Sequence, residues 1–401
     1  MVTSFEEKSI MELTHRVIMN TYARQPIVID RGQGSYVWDL KGKKYLDFLT
    51  GISVNNMGHS FEPVVKAVKN QADKLFHCSN IYYTEPSARL AEKLISLTFA
   101  DRVFFSNSGA EANEAALKLI RRFSGIHKGE ASIEVICMKK SFHGRTFGCM
   151  SATGQEKIRQ GYEPLLSGFR FVPFGNLEVL KNAITPKTAA IFLEPIQGEG
   201  GVHLPPKGYL KGLRELCDSK DILLVLDEIQ VGMGRTGKFC AYEWEDVKPD
   251  IMTMAKALGG GLPLGACLAT QKVSETFVPG SHATTFGANP VACSAGLAMV
   301  NAVSDITTLQ NCQAMGEHLK NELNQLSKKY DFIKEIRARG LMVGMEFDFE
   351  IKELVKTCLE HGLLVNMAGS NTLRILPPLN LQTEELQEGL ELLKKVLKTV
   401  N

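Results

Sequence analysis

Two apolar runs in the middle of the chain each end on a residue that can do chemistry. Ile222 to Leu226 stops at Asp227 and Glu228, and Ile251 to Ala255 stops at Lys256, ahead of Gly259, Gly260 and Gly261. In a parallel α/β sheet ligands bind at the carboxyl ends of the strands, so the pattern aims Asp227 and Lys256 at one crevice. An amine and an acid there suit pyridoxal 5'-phosphate, whose aldehyde condenses with a lysine and whose ring nitrogen needs an acidic partner to stay protonated and draw electrons. Taken singly, each has an ordinary reading: an Asp at a strand end caps a helix or ties a loop, and a Lys is a solvated charge. It is the pairing that points to a site.

A phosphate needs its own cradle. The stretch SNSGA, Ser106 to Ala110, sits between a strand and a helix expected to begin near Glu111. The free amides and dipole of a helix N-terminus hold anions, and small residues let the backbone approach closely, which selects Ser108, Gly109 and Ala110. A plain N-cap by Ser106 or Ser108 is the competing reading. A second glycine motif, GMGRTG from Gly232 to Gly237, matches a dinucleotide fingerprint and admits an oxidoreductase as an alternative. That fingerprint opens directly into a helix. Here DEIQ separates the strand from the glycines, and KFCAYEW after them has no helical onset. The motif therefore reads as a loop beside the cofactor.

These residues need a scaffold, and bulk properties permit one. The chain has 401 residues, 44% of them hydrophobic, enough for a large core and two domains. A net charge of +2 without a basic block predicts no nucleic-acid and no membrane partner. Nine cysteines without regular spacing read as reduced thiols, and His59, His77, His143 and His282 are scattered without metal-site spacing, so no metal is expected. The acidic, helical start and the lack of a membrane-length apolar run predict a cytoplasmic protein.

Along the chain, a helix over Ser4 to Asn20 is followed by strands at Ile27 to Asp30, Tyr36 to Asp39 and Lys44 to Phe48, with RGQG and LKGK as turns. Helices follow over Glu62 to Leu75 and Pro86 to Leu97. Apolar runs then alternate with helical stretches up to Ala269, which predicts an α/β fold with a mostly parallel sheet and helices on both faces. Helices over Pro290 to Val303 and Leu309 to Tyr330 precede an α+β region. The expected division is 1–60 and 304–401 as a small α+β domain built from both chain ends, and 61–303 as the large cofactor-binding domain.

The runs LDEIQVGMGRTGKF and PDIMTMAKALGGGLPLGA resemble the signature of the class III, pyridoxal-phosphate-dependent aminotransferases of fold type I. FFSNSGAEANEAALKLIR, SFHGRTFG, FLEPIQGEGG, GSHATTFGANP and LRILPP extend the resemblance end to end. It implies that Lys256 takes the cofactor aldehyde and then moves the substrate proton, and that Asp227 holds the ring-nitrogen proton. Asp227, Glu228, Ile229 and Gln230 would lie at the cofactor, Gln230 bonding its ring oxygen, with Phe142 and Ile229 on the two ring faces. Thr285 would reach the phosphate in the neighbouring subunit, so a homodimer is expected, and Thr284 would contact substrate. Arg145 and Arg374 match two carboxylate clamps, where a guanidinium gives two parallel hydrogen bonds. Glu199 would cover Arg374 while an ω-amino donor is bound and swing away for 2-oxoglutarate or glutamate. Ile52 stands where ornithine-specific members carry a tyrosine, so free ornithine is disfavoured.

Within the class the likeness is greatest to members acting on N2-acetylornithine in arginine biosynthesis. Succinylornithine, N-succinyldiaminopimelate, 4-aminobutyrate and ornithine remain alternative donors, since one apolar contact discriminates by only about 1 to 3 kcal/mol. A noncatalytic scaffold keeping the fold is the remaining reading from another class.

Overall fold

The computed structural model describes residues 4–129 and 133–400. At its centre a seven-stranded sheet runs in the order Arg102–Ser106, Gly265–Ala269, Ile251–Met254, Leu223–Asp227, Thr188–Leu193, Glu134–Met138 and Phe169–Val172. Every pairing is parallel except those of Gly265–Ala269, which is antiparallel to both neighbours. The sheet is buried on both faces, and the alternation of side chains divides its core in two. Ile136, Ile191, Leu224, Leu226, Met252 and Met254 pack on one face. Val135, Phe192, Leu223, Val225 and Ile251 pack on the other, with the helix Gly109–Lys128. Continuous apolar runs rather than alternating ones are what such a two-sided burial demands.

A four-stranded sheet joins distant parts of the chain. Ile29–Gln33, Tyr36–Asp39 and Lys44–Asp47 form an antiparallel meander, and Leu363–Leu364 adds in parallel, with Leu363 opposite Leu46. A second four-stranded sheet orders Ile333–Arg339, Met342–Phe347, Thr372–Ile375 and Asn366–Ala368. No single described helix is long and apolar enough to cross a membrane; Pro290–Val303, the most apolar, is a core helix.

Several boundaries differ from expectation for local reasons. RGQG is not a turn. Arg31, Gly32 and Gln33 are laddered to Trp38, Val37 and Tyr36, and the chain reverses at Gly34, at φ +56°. The Arg31 guanidinium lies 3.9 Å from the centre of the Trp38 ring, a cross-strand cation–π contact that extends the pairing. The helix after SNSGA starts at Gly109 rather than near Glu111, because the Ser108 hydroxyl accepts the Glu111 amide and caps it. Asp305, capping Thr307, likewise starts the helix Ile306–Lys329 earlier than Leu309.

The segment after the meander has no sequence signal. Thr50, Gly51, Ile52 and Ser53 form a turn with φ of 50°, 63°, 64° and 63°, a left-handed helical turn. Three of its residues carry a Cβ, and each left-handed L-residue costs roughly 1 to 2 kcal/mol. Asp47 helps hold the turn, its Oδ1 accepting from the Leu49 and Thr50 amides at 2.8 and 2.9 Å.

The packing of strand against cradle is close enough to test. A Cβ on Gly265 would lie 2.3 Å from the backbone oxygen of Ser108. Gly265→Ala is expected to destabilise the protein by about 1 to 3 kcal/mol through overpacking, read by denaturant unfolding, and to displace the amides at Gly109.

Candidate active site

Three neighbouring parallel strands end along one edge of the large sheet, and each hands an ionisable residue to it: Thr188–Leu193 gives Glu194, Leu223–Asp227 gives Asp227, and Ile251–Met254 gives Lys256. Charges cannot continue through an apolar sheet, so they gather where the strands stop. All three line a cavity of about 460 Å³, within the range of cofactor sites.

Asp227 is 3% exposed and acts as acceptor for three groups. Its Oδ2 accepts from Asn113 Nδ2 at 2.8 Å and faces His143 Nδ1 at 2.8 Å, while Oδ1 accepts the Ile229 amide at 3.0 Å. Asn113 is itself fixed, its Oδ1 accepting from Thr253 Oγ1 and its Nδ2 also donating to the His143 carbonyl. His143 stacks on Phe192, ring centres 4.1 Å apart, and its Nε2 is buried without a partner. An imidazole facing a carboxylate through Nδ1 donates from that atom, which fixes the tautomer.

Lys256 has φ +48°, a conformation stored at functional sites more often than elsewhere. Burial lowers its pKa to about 8 against the opposing pull of Glu199, so the amine is readily neutral. Burial, helped by Asp227, pushes Glu194 up to about 8. Its carboxyl accepts the amides of Phe142 and Gly198, both at 3.1 Å, and so holds Phe142 in place.

Most of the expected site residues meet here. Ser108, Gly109, Ala110, Phe142, Arg145, Glu199, Asp227, Ile229, Gln230 and Lys256 all line the cavity. First-turn amides have no partner within a helix, and Ser108 takes only that of Glu111, which leaves Gly109 and Ala110 turned to the cavity. A Cβ on Gly109 would sit 2.9 Å from Ile229 Cδ1, so only glycine admits both the bare amide and that side chain. Arg145 is exposed at the rim, 5.7 Å from the Phe142 ring centre.

Arg374 stands behind the lining residues, fully buried. Its Nη1 donates to Glu199 Oε1 and, at 3.0 Å, to Gln230 Oε1; Gln230 Nε2 donates back to Glu199 at 3.0 Å. Burial would raise the Glu199 pKa, but Arg374 overcomes it and holds the carboxylate low. Arg374 Nε and Nη2 are buried with no partner at all. Idle buried donors on a guanidinium are costly, and a ligand carboxylate reached by displacing Glu199 would satisfy them.

Four expected residues are placed elsewhere. Glu228 faces away from the cavity, its carboxylate accepting the Ala241 and Tyr242 amides, both at 2.9 Å, because a buried acid next to an apolar strand takes the nearest free amides. Ile52, turned by its left-handed backbone, packs against the cluster of Ile196, Val202 and Leu376, and Val54 is the apolar residue of that segment on the cavity wall. Thr284 accepts from Asn107 Nδ2 at 3.1 Å outside the cavity, and Thr285 beside it is exposed. Sequence reasoning missed Val54, Asn107, Asn113, His143 and Glu194. Asn113 carried a signal: a lone amide among Ala112, Ala115 and Ala116, one helical turn from Gly109.

These residues fit pyridoxal phosphate: an amine of lowered pKa, an acid with a fixed tautomeric support, bare helix amides, and the apolar side chains of Phe142 and Ile229 on the cavity wall. In cofactor-free protein, Lys256 is protonated below about pH 8 and neutral above it. Its labelling by an amine-reactive reagent, followed by peptide mass spectrometry, should therefore rise with a midpoint near pH 8, rather than near 10.4 as for an ordinary lysine.

Residues 18–397 match the family Aminotransferase class-III. The acetylornithine aminotransferase of Caldanaerobacter subterraneus subsp. tengcongensis is 47% identical over 386 residues, covering 96% of this chain and 98% of that protein. The crystal structure of an N-acetylornithine aminotransferase from Stenotrophomonas maltophilia is similar with a TM-score of 0.84 at 37% identity, covering 97% and 98% of the two chains. An ornithine aminotransferase from Toxoplasma gondii, described with partial occupancy of PLP at its active site, superposes with a TM-score of 0.95 at 33% identity, covering 98% of this chain and 94% of that one. Backbone likeness is thus higher to the protein that is less alike in sequence, so the shape of the chain does not choose between the two donors.

Proposed function

The chain belongs to the class-III aminotransferases, and on that footing we propose that it moves the side-chain amine of N2-acetyl-L-ornithine to 2-oxoglutarate, giving N-acetylglutamate 5-semialdehyde and L-glutamate. The observation that carries the reading is Arg374, a buried guanidinium with two idle nitrogens screened from the cavity by Glu199. An ω-amino donor brings no carboxylate to that place and is served by the closed Glu199–Arg374 pair. Glutamate and 2-oxoglutarate bring one, and are served once Glu199 moves off. The acylated donor is supported by the 47% identical relative and by Val54, which offers no hydrogen bond to a free α-amine.

Pyridoxal phosphate, when bound, supplies an aldehyde for the amine and a ring that draws off the electrons of the broken C–H bond. The amides of Gly109 and Ala110 would bind its phosphate, and Asp227, held by Asn113, His143 and the Ile229 amide, would keep the proton on its ring nitrogen. Phe142 and Ile229, both on the cavity wall, would hold the ring and so orient the substrate bond to be broken. Gln230 Nε2 keeps one hydrogen beyond that given to Glu199, enough for the ring oxygen. Lys256 Nζ, which burial makes easier to deprotonate than an ordinary lysine, takes the proton from the substrate carbon. Arg145 at the rim takes the donor's α-carboxylate.

The second subunit of a homodimer would seat on the face carrying Thr285. Leu75, Phe76, Ile81, Tyr82, Tyr83 and Phe286 are all exposed there. Asn80 Nδ2 ties the two segments together, donating to the carbonyls of Thr284 and Gly287 at 3.2 and 2.9 Å. Such an apolar patch marks an interface.

A panel of amine donors assayed for glutamate formation from 2-oxoglutarate tests the reaction; N2-acetylornithine should give the highest kcat/KM, and a preference for free ornithine would reverse the assignment. Double-reciprocal plots should be parallel. Glu199→Ala should impair the half-reaction with the ω-amino donor about tenfold or more beyond that with glutamate, since it leaves Arg374 permanently open; equal losses in single-turnover measurements would reject the switch.

A further inference from the structure

The GMGRTG loop holds no ligand in the account above, yet it contributes the largest fully buried polar side chain beside Arg374. Arg235 is 0% exposed and none of its partners is a carboxylate. Its five N–H groups are all spent, on Ser53 Oγ at 3.0 Å, Leu341 O at 3.2 Å, Thr50 Oγ1 at 3.5 Å, Asn56 Oδ1 at 2.6 Å and Pro377 O. Arg374 has idle donors and waits for a ligand; Arg235 has none and therefore binds only the chain itself. We propose that Arg235 is a positioning residue for the amine donor, locking the left-handed turn Thr50–Ser53 and so setting Val54 and Gln230 against the Arg374 pocket.

The connections run both ways from the guanidinium. Ser53 Oγ, held by Arg235 Nε, donates to the Gln230 carbonyl at 3.1 Å, and the Gln230 side chain bridges Glu199 and Arg374. Thr50 Oγ1 donates to the Leu376 carbonyl at 2.9 Å, two residues beyond Arg374, and the Leu379 amide donates to Asn56 O at 2.7 Å. Asn56 Nδ2 returns to the GMGRTG loop at Met233 O, 2.8 Å away. Both ends of the chain are thereby fixed to one loop of the central sheet, and Val54, immediately after the strained turn, reaches the cavity wall. A turn of L-residues in the left-handed region stays there only when its surroundings over-determine it. Burial pushes the Arg235 pKa down to about 10, so it remains a cation at neutral pH and its five donors stay in place.

Asp227 ends one strand of the large sheet, Lys256 follows another and Gly109 opens the helix Gly109–Lys128, and no hydrogen bond joins any of the three to the turn. The inference rests on the proposed reaction, so its test separates the two. Arg235→Lys keeps the charge and loses the planar fork. In the cofactor-loaded protein it is expected to keep the bound-cofactor absorbance, to raise KM for N2-acetylornithine about tenfold or more with kcat within about threefold, and to lower the preference for the acylated donor over ornithine about tenfold. Ser53→Ala, removing one of the five bonds, should move KM and preference in the same direction by less, and serves if Arg235→Lys does not fold. A lowered Tm with KM and preference unchanged in both variants would reduce Arg235 to a packing residue and overturn the proposal. Should wild-type protein fail to use N2-acetylornithine, the functional reading falls. The positioning claim is then read from a crystal structure of whichever variant folds, where Ile52 retaining its positive φ and Val54 its place would overturn it.

Discussion

A carboxylate buried at the end of a central strand has to be furnished with hydrogen-bond donors, and much of the site follows from how Asp227 gets them. Its partner across the sheet, Thr253, spends its hydroxyl on Asn113, so the donors come from outside the sheet: Asn113 from the helix behind the strand, His143 from the loop after Glu134–Met138, and the Ile229 amide from its own turn. Placing those three fixes the helix that presents Gly109 and Ala110, the loop that presents Phe142, and the turn that presents Gln230. Unpaired buried polar groups are expensive enough that satisfying one acid organises three segments.

The two buried arginines divide the remaining work. Each is fully buried, yet one spends every donor on the protein and the other leaves Nε and Nη2 without a partner. The difference in hydrogen-bond accounting separates a guanidinium saturated by the chain from one with donors left over for a ligand. Glu199 stands between the latter and the cavity, and in the proposed reaction it would exchange a buried ion pair for a ligand's carboxylate at little net cost, since both alternatives neutralise the same cation. Glu194 and Lys256 are shifted in opposite senses by one cause, burial, which disfavours charge on either. The cavity therefore gathers an acid that tends to stay neutral and an amine that tends to become so.

Much of this was legible along the chain. The apolar runs ending at Asp227 and Lys256 placed both residues at the same sheet edge, because a strand buried on both faces must be continuously apolar and can bear charge only where it stops. The position of Ser108, Gly109 and Ala110 at the cavity was legible for a similar reason, small residues between a strand and a helix serving a close backbone approach, while the Ser108 hydroxyl takes the N-cap role that the sequence also allowed. Less legible were Asn113 and His143, which touch the reacting region only through Asp227 and whose spacing from it, 114 and 84 residues, follows no local period. Glu228 misled, since successive residues of an extended chain point to opposite sides, and the one after Asp227 turns to the Ala241 and Tyr242 amides.

What the amino-acid sequence determined by itself was the sheet, its polarity and the chemistry at its edge, all set by periodicities of a few residues and by the types of side chain that close each run. What only the tertiary structure decided was the left-handed turn at Thr50–Ser53, the exchange of Ile52 for Val54 at the wall, and the saturation of Arg235. Those depend on hydrogen bonds between segments separated by 106 to 185 residues, and a conformation unfavourable for each residue in isolation persists because partners brought together by the whole fold outweigh the local preference.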